Sequence, residues 1–481
     1  MAESSSDLAP DIIYVKEEQE KPYPQHLSYT RRTIVDRRGR TLCLSHGNKH
    51  RIQPYGTLFK SIIGYVDSFG HGLDGLEYSY DKFLYLKATY ENSREPLILS
   101  LDKTLQQDSQ QALNWQIKRL GASCGSLILI DLKSGNILAM ANNYRDKKKS
   151  GNANLSLQKI INPWPIIYVI SLKKYLEDHK EEVEATSKEK KKVDIIKTTK
   201  WHWHDISEKD SLWTKISEND IQNLKIPSNI MSTLVQLGFG QKTGIDLPDE
   251  VQGSLPFKIA DNFEELITIP IKSTPIQTLL AFCRLISNNF DLTPKVVINK
   301  SLIKKNTSSN SNRLKSTTAQ SNIFYNIIGD NFGPSVASFT QKDVNGHKRY
   351  EVLGLGFWPK KDPKIGYISV LFDAKKNPKQ KRGTLGKMAH LAKKATKVLD
   401  FHYEFNPNKP LPLYALNKDI TPTKLDKMPD LRGMSLRSAI EIINQIGITV
   451  KISGKGKVIK QYPYPGQSIS TIKECTLVCE R

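Results

Sequence analysis

The chain has 481 residues, 38% of them hydrophobic and 25% charged, and a formal net charge of +22 at pH 7. This composition is typical of a globular protein of several domains and excludes a collagen-like or wholly disordered chain. No apolar run approaches the roughly 18–20 residues that cross a bilayer, and the polar segment Met1–Lys21 lacks the pattern of a signal peptide. If the N-terminus is complete, the sequence therefore predicts a cytoplasmic chain.

The positive charge is spread along the chain, with local runs at Lys147–Lys149, Lys188–Lys192 and Lys379–Arg382. A basic surface attracts nucleic acid, anionic lipid or acidic polymers. Because no nucleic-acid-binding motif accompanies these runs, specific nucleic-acid binding is not expected.

Neither cysteine nor histidine spacing indicates a metal site, and no cofactor is predicted. The segment Trp201–Asp205 holds two histidines and a carboxylate, but a third or fourth ligand is not identifiable. We interpret these histidines as structural or surface residues. No cysteine pair has CxxC spacing, so we expect buried free thiols at Cys43, Cys124, Cys283, Cys475 and Cys479.

The N-terminal half predicts two hairpins and a helix after a disordered tail over residues 1–27. Extended runs flank the turn Asp36–Gly39, which predicts a first hairpin. Ser126–Ile130 is almost continuously apolar, as in a strand buried on both faces, and returns after a turn as Ile137–Ala141. A helix is predicted over Pro165–Glu177, because proline suits the first helical turn.

The C-terminal half predicts a strand pair, a helix and a separate small unit. The strands are Val352–Phe357 and Gly366–Phe372, and the helix spans Gly386–Leu399. Four prolines mark residues 406–427 as a linker, and a compact βα unit follows over Met428–Arg481.

Short motifs along the chain occur in the same order as the motifs of one protein family, and at close to the same spacing. Those of the first part are Asp36–Gly39 with Leu42, Arg51–Gly56 with Ile63–Tyr65, and Gly72–Glu77 with Tyr80, Asp81 and Leu84. Those that follow are Leu101–Asp102 with Leu105–Gln106, Ser126–Ala141, Leu237–Pro248 with Glu250, Thr274–Gln277, Asn288 with Pro294, and Gly356–Pro359 with Pro363. Together they resemble class B penicillin-binding proteins of the cell-division type, which are peptidoglycan D,D-transpeptidases.

The C-terminal unit carries a second resemblance, to a PASTA domain. Its pattern consists of Met428–Met434 with Ala439, Gly447, Gly454, Gly456, Val458, Gln461, Pro463, Pro465 and Gly466. The two resemblances imply an α+β chain with a penicillin-binding transpeptidase (serine β-lactamase-like) fold, whose five-stranded antiparallel sheet is sandwiched by helices, with an inserted all-helical region. They imply a β-rich pedestal remnant over residues 28–95, the transpeptidase-like domain over 96–405, the linker and a PASTA domain of one helix and three strands over 428–481.

The family reaction needs a serine nucleophile and, three residues later, the lysine that activates it. The family pattern around this pair falls on Asn154–Tyr168, where Pro163 matches. Pro165 then replaces the serine and Tyr168 replaces the lysine, so the resemblance implies a broken SxxK motif. Proline also lacks the backbone N–H that would serve as an oxyanion donor. Other SxxK strings begin at Ser156, Ser171, Ser187, Ser301 and Ser470.

The two remaining family motifs are also degenerate or doubtful. Ser217 and Asn219 are a candidate remnant of the SxN motif. Lys242–Gly244 spells KTG but belongs to a different family segment, and the true position, near Val336–Gln341, contains no KTG. The catalytic residues are therefore unknown from the sequence.

Two functions remain open. The leading one is a catalytically inactive scaffold or binding homologue in cell-wall biogenesis and division, located at the bacterial cell envelope. Its partners would be division or wall-synthesis proteins, with the PASTA domain contacting peptidoglycan or the transpeptidase body. The alternative is an active serine D,D-transpeptidase with a relocated nucleophile such as Ser171 or Ser217.

Overall fold

The computed structural model describes residues 30–480 with several gaps. The longer gaps are 87–94, 146–152, 174–229, 257–270, 303–335 and 405–426, and the short ones include 164–165, 167–168 and 379–383. The predicted tail, most of the predicted linker and most of the predicted helix Pro165–Glu177 lie outside the described residues. The inserted all-helical region was predicted without residue bounds and stays a prediction.

The first unit consists of short strands and single-turn helices. Its elements are β1 (Thr30–Arg31), β2 (Ile34–Val35), β3 (Thr41–His46), β4 (His50–Ile52), α1 (Lys60–Ile63), β5 (Tyr65–Val66), β6 (Gly72–Asp74), α2 (Gly75–Ser79), α3 (Asp81–Leu84) and β7 (Tyr85–Leu86). The predicted hairpin is confirmed: β2 and β3 pair antiparallel, with Ile34 opposite Cys43. Its turn closes at Gly39, whose φ of +80° favours glycine. β8 (Leu97–Ile98) adds to the sheet, in the order β4-β3-β2-β8.

A buried ion-pair cluster holds this unit together. The Glu77 carboxylate accepts hydrogen bonds from Arg31 Nε and from Arg51 Nε, both at 2.8 Å. Arg31 also reaches Asp81, and its Nη2 donates to the Glu77 carbonyl. The side chains of Arg31 and Glu77 are 0% and 1% exposed, so their charges have no water to replace a lost partner.

A second charged cluster joins the hairpin turn to α4 (Lys103–Leu120). Asp102 caps this helix by accepting from the Leu105 N–H at 2.9 Å, and it pairs with Arg38 and Arg40. Burial alone would raise the pKa of Asp102, but the Leu105 N–H, Arg40 and Arg38 outweigh it and hold the pKa below its usual value.

Replacing Asp102 by asparagine should therefore make the free energy of unfolding less dependent on pH. The lowered pKa stabilises the native state fully above the unfolded value of about 3.9, and this contribution is lost as pH falls through the folded pKa. Asparagine can still cap the helix, but it carries no charge to pair with Arg38 and Arg40. We therefore expect the substitution to lower the free energy of unfolding by about 1–2 kcal/mol at neutral pH, and this difference should disappear in acid. Urea unfolding of the native chain and of Asp102→Asn, from neutral pH down to a pH of about 2, measures this difference. A difference in the free energy of unfolding that does not change with pH would contradict the prediction.

The second unit is built on a five-stranded antiparallel sheet, as predicted. Its strands are β9 (Cys124–Asp131), β10 (Ile137–Tyr144), β11 (Val336–Val344), β12 (His347–Trp358) and β13 (Ile365–Ala374), in the order β10-β9-β13-β12-β11. Its other described helices are α5 (Leu155–Gln158), α6 (Ile230–Gln236), α7 (Pro275–Ser287) and α8 (Lys387–Thr396). The predicted strands at Ser126, Ile137, Val352 and Gly366, and the predicted helix that α8 represents, are confirmed.

Helices cover both faces of this sheet. Along β9, Leu127 and Leu129 point into a core shared with α4 and α8, whereas Ile128 and Ile130 point into a core shared with α7. β9 is accordingly buried along nearly its whole length, which explains its continuous apolar sequence. The predicted sandwich is confirmed for the described helices.

The C-terminal unit has three strands, β14 (Thr449–Ser453), β15 (Lys457–Tyr462) and β16 (Glu474–Glu480), in the order β14-β16-β15. Buried helical residues, among them Ala439 and Ile440, fill its core. Tyr65 of the first unit packs against that core, so the C-terminal unit contacts the body of the protein.

The thiols are as the sequence predicts: all five cysteines are free and buried. Among the described residues, no helix combines the length and apolarity that a membrane span requires.

Candidate functional site

The segment predicted to carry the nucleophile runs from Asn154 toward the helix that follows Pro163. Asn154 caps α5, and Ile161 forms a bridge with Ser273 next to α7. The N–H of Ile166 donates to the Pro163 carbonyl at 2.9 Å, and Ile166 is buried. Pro165 and Tyr168, the positions assigned to the lost serine and lysine, lie outside the described residues. Ser217 and Asn219 lie outside them too, and all four assignments remain predictions.

The first SxxK string of this segment, at Ser156, is placed unfavourably for catalysis. Ser156 is 0% exposed, and its hydroxyl is hydrogen-bonded to Ser126 Oγ at 2.8 Å and donates to Asn142 Oδ1 at 3.1 Å. The Lys159 ammonium lies 5.5 Å from the centre of the Phe372 ring. A buried hydroxyl that serves as a structural hydrogen-bonding group cannot reach a substrate carbonyl.

The lysine nearest to Ser171 has a structural partner. Lys173 Nζ donates to the Leu285 carbonyl at 3.0 Å and also to the side-chain oxygen of Asn288. These two acceptors lie at the C-terminal end of α7, where carbonyls lack helical partners and a cation is favourable. Lys173 therefore caps α7. Ser171 and Lys174 themselves lie outside the described residues.

The string Lys242–Gly244 is part of a turn and does not belong to the sheet. The Thr243 N–H donates to Glu250 Oε1 at 2.8 Å, and both side chains are buried. Burial raises the pKa of Glu250, against the opposing N–H donors of Thr243 and Gly244. The strand expected to carry the third motif is β11, which forms one edge of the sheet and pairs with β12 along its length.

A contact missed by the sequence reasoning joins the first unit to the second. The Asp246 carboxylate accepts from the backbone N–H groups of Val296 and Val297, both at 2.7 Å, and from the Tyr80 hydroxyl at 3.2 Å. Burial raises the pKa of Asp246 in spite of these donors. The sequence shows the motifs that contain Tyr80 and Asp246, but only the folded structure shows that these two side chains are hydrogen-bonded to each other.

A second feature that the sequence did not reveal is a cleft of about 960 Å³ between the first unit, α5 and the C-terminal unit. Exposed apolar side chains of the first unit line one wall, namely Phe69, Leu73 and Tyr78. Lys451 and Lys455 lie on the opposite wall, which belongs to the C-terminal unit. The residues that line the cleft come from segments far apart in sequence, so no local pattern could predict it.

Within the described part of the chain, no group of three or more histidine, cysteine, aspartate or glutamate side chains could hold a metal ion. The segment Trp201–Asp205, where His202 and His204 occur, lies outside the described residues.

Comparison with known domain families matches two parts of the chain. Residues 125–324 match the penicillin binding protein transpeptidase domain, and residues 426–478 match the PASTA domain. Both matches confirm the resemblance inferred from the motifs.

Curated relatives match part of the chain. They include the probable peptidoglycan D,D-transpeptidase PbpC of Pseudomonas aeruginosa, 27% identical over 43% of this chain and 42% of its own length. The peptidoglycan D,D-transpeptidase FtsI of Buchnera aphidicola is also 27% identical over 43% of this chain and 42% of its own length. The matched region thus spans less than half the length of these relatives.

Solved structures confirm the fold over a wider region. Penicillin binding protein 3 of Mycobacterium tuberculosis, complexed with aztreonam, aligns with a TM-score of 0.57 at 17% identity. The alignment covers 78% of this chain and 97% of that chain. Another structure of the same protein, complexed with ampicillin, aligns with a TM-score of 0.56 at 18% identity over 79% of this chain and 98% of that chain.

Proposed function

We propose that this chain, a homologue of the class B penicillin-binding proteins with a C-terminal PASTA domain, serves peptidoglycan biogenesis and cell division as a catalytically inactive binding protein or scaffold. It would act at the bacterial cell envelope, alongside division or wall-synthesis proteins. The PASTA domain would supply contact with peptidoglycan. No cofactor is required for this role.

The observation that carries the proposal is that Pro165 and Tyr168 occupy the positions where the family resemblance places the serine and the lysine of the SxxK motif. Serine is a weak nucleophile without a neighbouring base, and proline at its position supplies neither a hydroxyl nor a backbone N–H. The described part of the chain keeps the five-stranded sheet and the helices on both of its faces, which supports a loss of the chemistry rather than of the architecture.

One described side chain supports the proposal because it removes an obvious substitute. Ser156, which begins an SxxK string, is buried and hydrogen-bonded to Ser126 and Asn142. The KTG string at Lys242–Gly244 is engaged with Glu250 away from the sheet edge. A relocated site would have to be assembled from other groups.

The experiment is incubation of the purified chain with a fluorescent penicillin, followed by a denaturing gel and intact mass. Because acylation requires an activated serine, we expect no covalent adduct from protein whose thermal melt shows that it is folded. An active penicillin-binding protein treated in parallel provides the positive control.

A stoichiometric adduct that survives boiling would overturn the proposal and favour the active transpeptidase with a relocated nucleophile. Peptide mapping would then identify the serine. Ser171→Ala and Ser217→Ala would each be tested for loss of the adduct, with the buried Ser156→Ala as the matched serine control.

A further inference from the structure

The outer face of α8 is basic along its whole length. Met388, Leu391 and Ala395 are buried against the sheet, while the opposite side presents lysines and one histidine. The exposed residues of the helix and the turn after it are Lys387, His390, Lys393, Lys394 and Lys397. At a rise of about 1.5 Å per residue, Lys387 and Lys397 lie roughly 15 Å apart along the axis.

The basic surface continues from α8 onto the C-terminal end of α4. The Lys387 ammonium lies 4.3 Å from the centre of the Trp115 ring, and the Arg119 guanidinium lies 5.2 Å from the same ring. Lys118 and Arg119 are exposed on the last turn of α4. The two helices therefore share one charged surface around Trp115.

The end of β13 extends this surface further. The N–H groups of Lys375 and Lys376 donate to the Leu120 carbonyl, which places both exposed lysines beside the end of α4. Arg145 follows β10, and its N–H donates to the Ser123 carbonyl next to this corner. We name this surface the basic face: Lys118, Arg119, Arg145, Lys375, Lys376, Lys387, Lys393, Lys394 and Lys397.

Few acidic groups accompany these nine cations. Asp108 pairs with Lys394 at 2.7 Å. Asp373 accepts from the Ser123 hydroxyl, and Asp400 is exposed beyond α8. Positive charge therefore exceeds negative charge on this face, which would concentrate anions near it.

We propose that the basic face binds a linear phosphodiester polymer that lacks nucleobases, such as a polyol phosphate. An elongated row of charges fits an extended polymer better than a compact anion. Seven of the nine cations are lysines, which bind phosphate as point charges without a fixed pairing geometry, so this face suits a flexible polymer with repeated phosphates. The Trp115 ring already lies beside two cations, so a nucleobase would compete with Lys387 and Arg119 for it.

The test measures the binding of the full chain to fluorescently labelled poly(glycerol phosphate) by anisotropy as salt rises from about 50 to 200 mM. Each neutralised phosphate releases counterions, so affinity should fall steeply with salt. The variant Lys376→Gln, Lys393→Gln, Lys397→Gln should flatten the slope of log affinity against log salt by about 2, at about 0.7 for each phosphate that is no longer neutralised. We expect its affinity at low salt to fall at least about tenfold.

The matched control is Lys82→Gln, Lys457→Gln, Lys460→Gln, which removes the same charge at exposed positions in the first unit and the C-terminal unit, outside the basic face. Thermal melts verify that both triple variants are folded. An equal loss in the control would assign binding to net charge and overturn the proposal, as would the absence of salt-dependent binding by the native chain. Binding more than about tenfold tighter to single-stranded DNA of equal phosphate number would overturn it in favour of nucleic acid. Tighter binding to polyglutamate would overturn it in favour of an acidic protein segment.

Discussion

Replacing Glu77 by alanine is expected to lower the free energy of unfolding by about 3–5 kcal/mol, among the largest effects of any single substitution in this chain. Glu77 accepts hydrogen bonds from both Arg31 and Arg51, and Arg31 is wholly buried. Alanine would remove the Glu77 carboxylate from these two guanidinium groups in a largely buried site, where Asp81, the Ser45 hydroxyl and carbonyl oxygens are weaker or fewer acceptors. Urea unfolding, followed by circular dichroism, measures the loss.

The matched control is Arg432→Ala, which breaks the ion pair with Asp430 in the C-terminal unit. Both side chains of that pair are about half exposed, so water replaces the lost partner, and we expect little change in the free energy of unfolding. If Glu77→Ala costs as little as Arg432→Ala, the buried cluster does not hold the first unit together.

Replacing Phe282 by alanine is the second change for which we expect a large effect, about 3–5 kcal/mol. Phe282 lies in the middle of α7, is fully buried and packs 6.3 Å from the ring of Phe357 on β12. Truncation removes apolar surface and leaves a cavity between α7 and the sheet, because the close packing of β13 against α7 prevents the neighbours from filling it. The same unfolding measurement applies.

Val235→Ala on α6 is the control for this prediction. Its side chain is 45% exposed, so truncation removes little buried surface, and alanine favours a helix; we expect a change within about 0.5 kcal/mol. A loss for Phe282→Ala that is no larger than the loss for Val235→Ala would contradict the placement of α7 in the core.

Several elements could be predicted from the sequence because their signals are local. The apolar run at Ser126–Ile130 predicted a strand buried on both faces, and it became the central part of β9. The turn Asp36–Gly39 predicted a hairpin, and the helix predicted over Gly386–Leu399 is observed as α8. The motif order, compared with one family, also predicted the five-stranded sheet, which no local pattern specifies.

From the sequence, the candidate site could be predicted only as the positions at which other residues replace the family's catalytic serine and lysine. Pro165 and Tyr168 were assigned by alignment with the family, and the described structure does not include either residue. Whether the nearby SxxK string at Ser156 could substitute depended on burial, because the Ser156 hydroxyl is hydrogen-bonded inside the protein. Burial of a serine hydroxyl depends on residues far away in sequence, so no pattern around Ser156 could reveal it.

By itself, then, the sequence determined the secondary structure with strong local signals and the resemblance to one family, since each is encoded in neighbouring residues or in motif order. The loss of the SxxK residues stays a prediction from that resemblance. Only the tertiary structure decided which charges meet. Lys118, Lys375 and Lys387 lie in three separate segments, and they form one face because β13 ends beside the last turn of α4 while α8 packs against that helix. A net charge of +22 predicts attraction to anions, but the packing of these elements determines where an anion could bind.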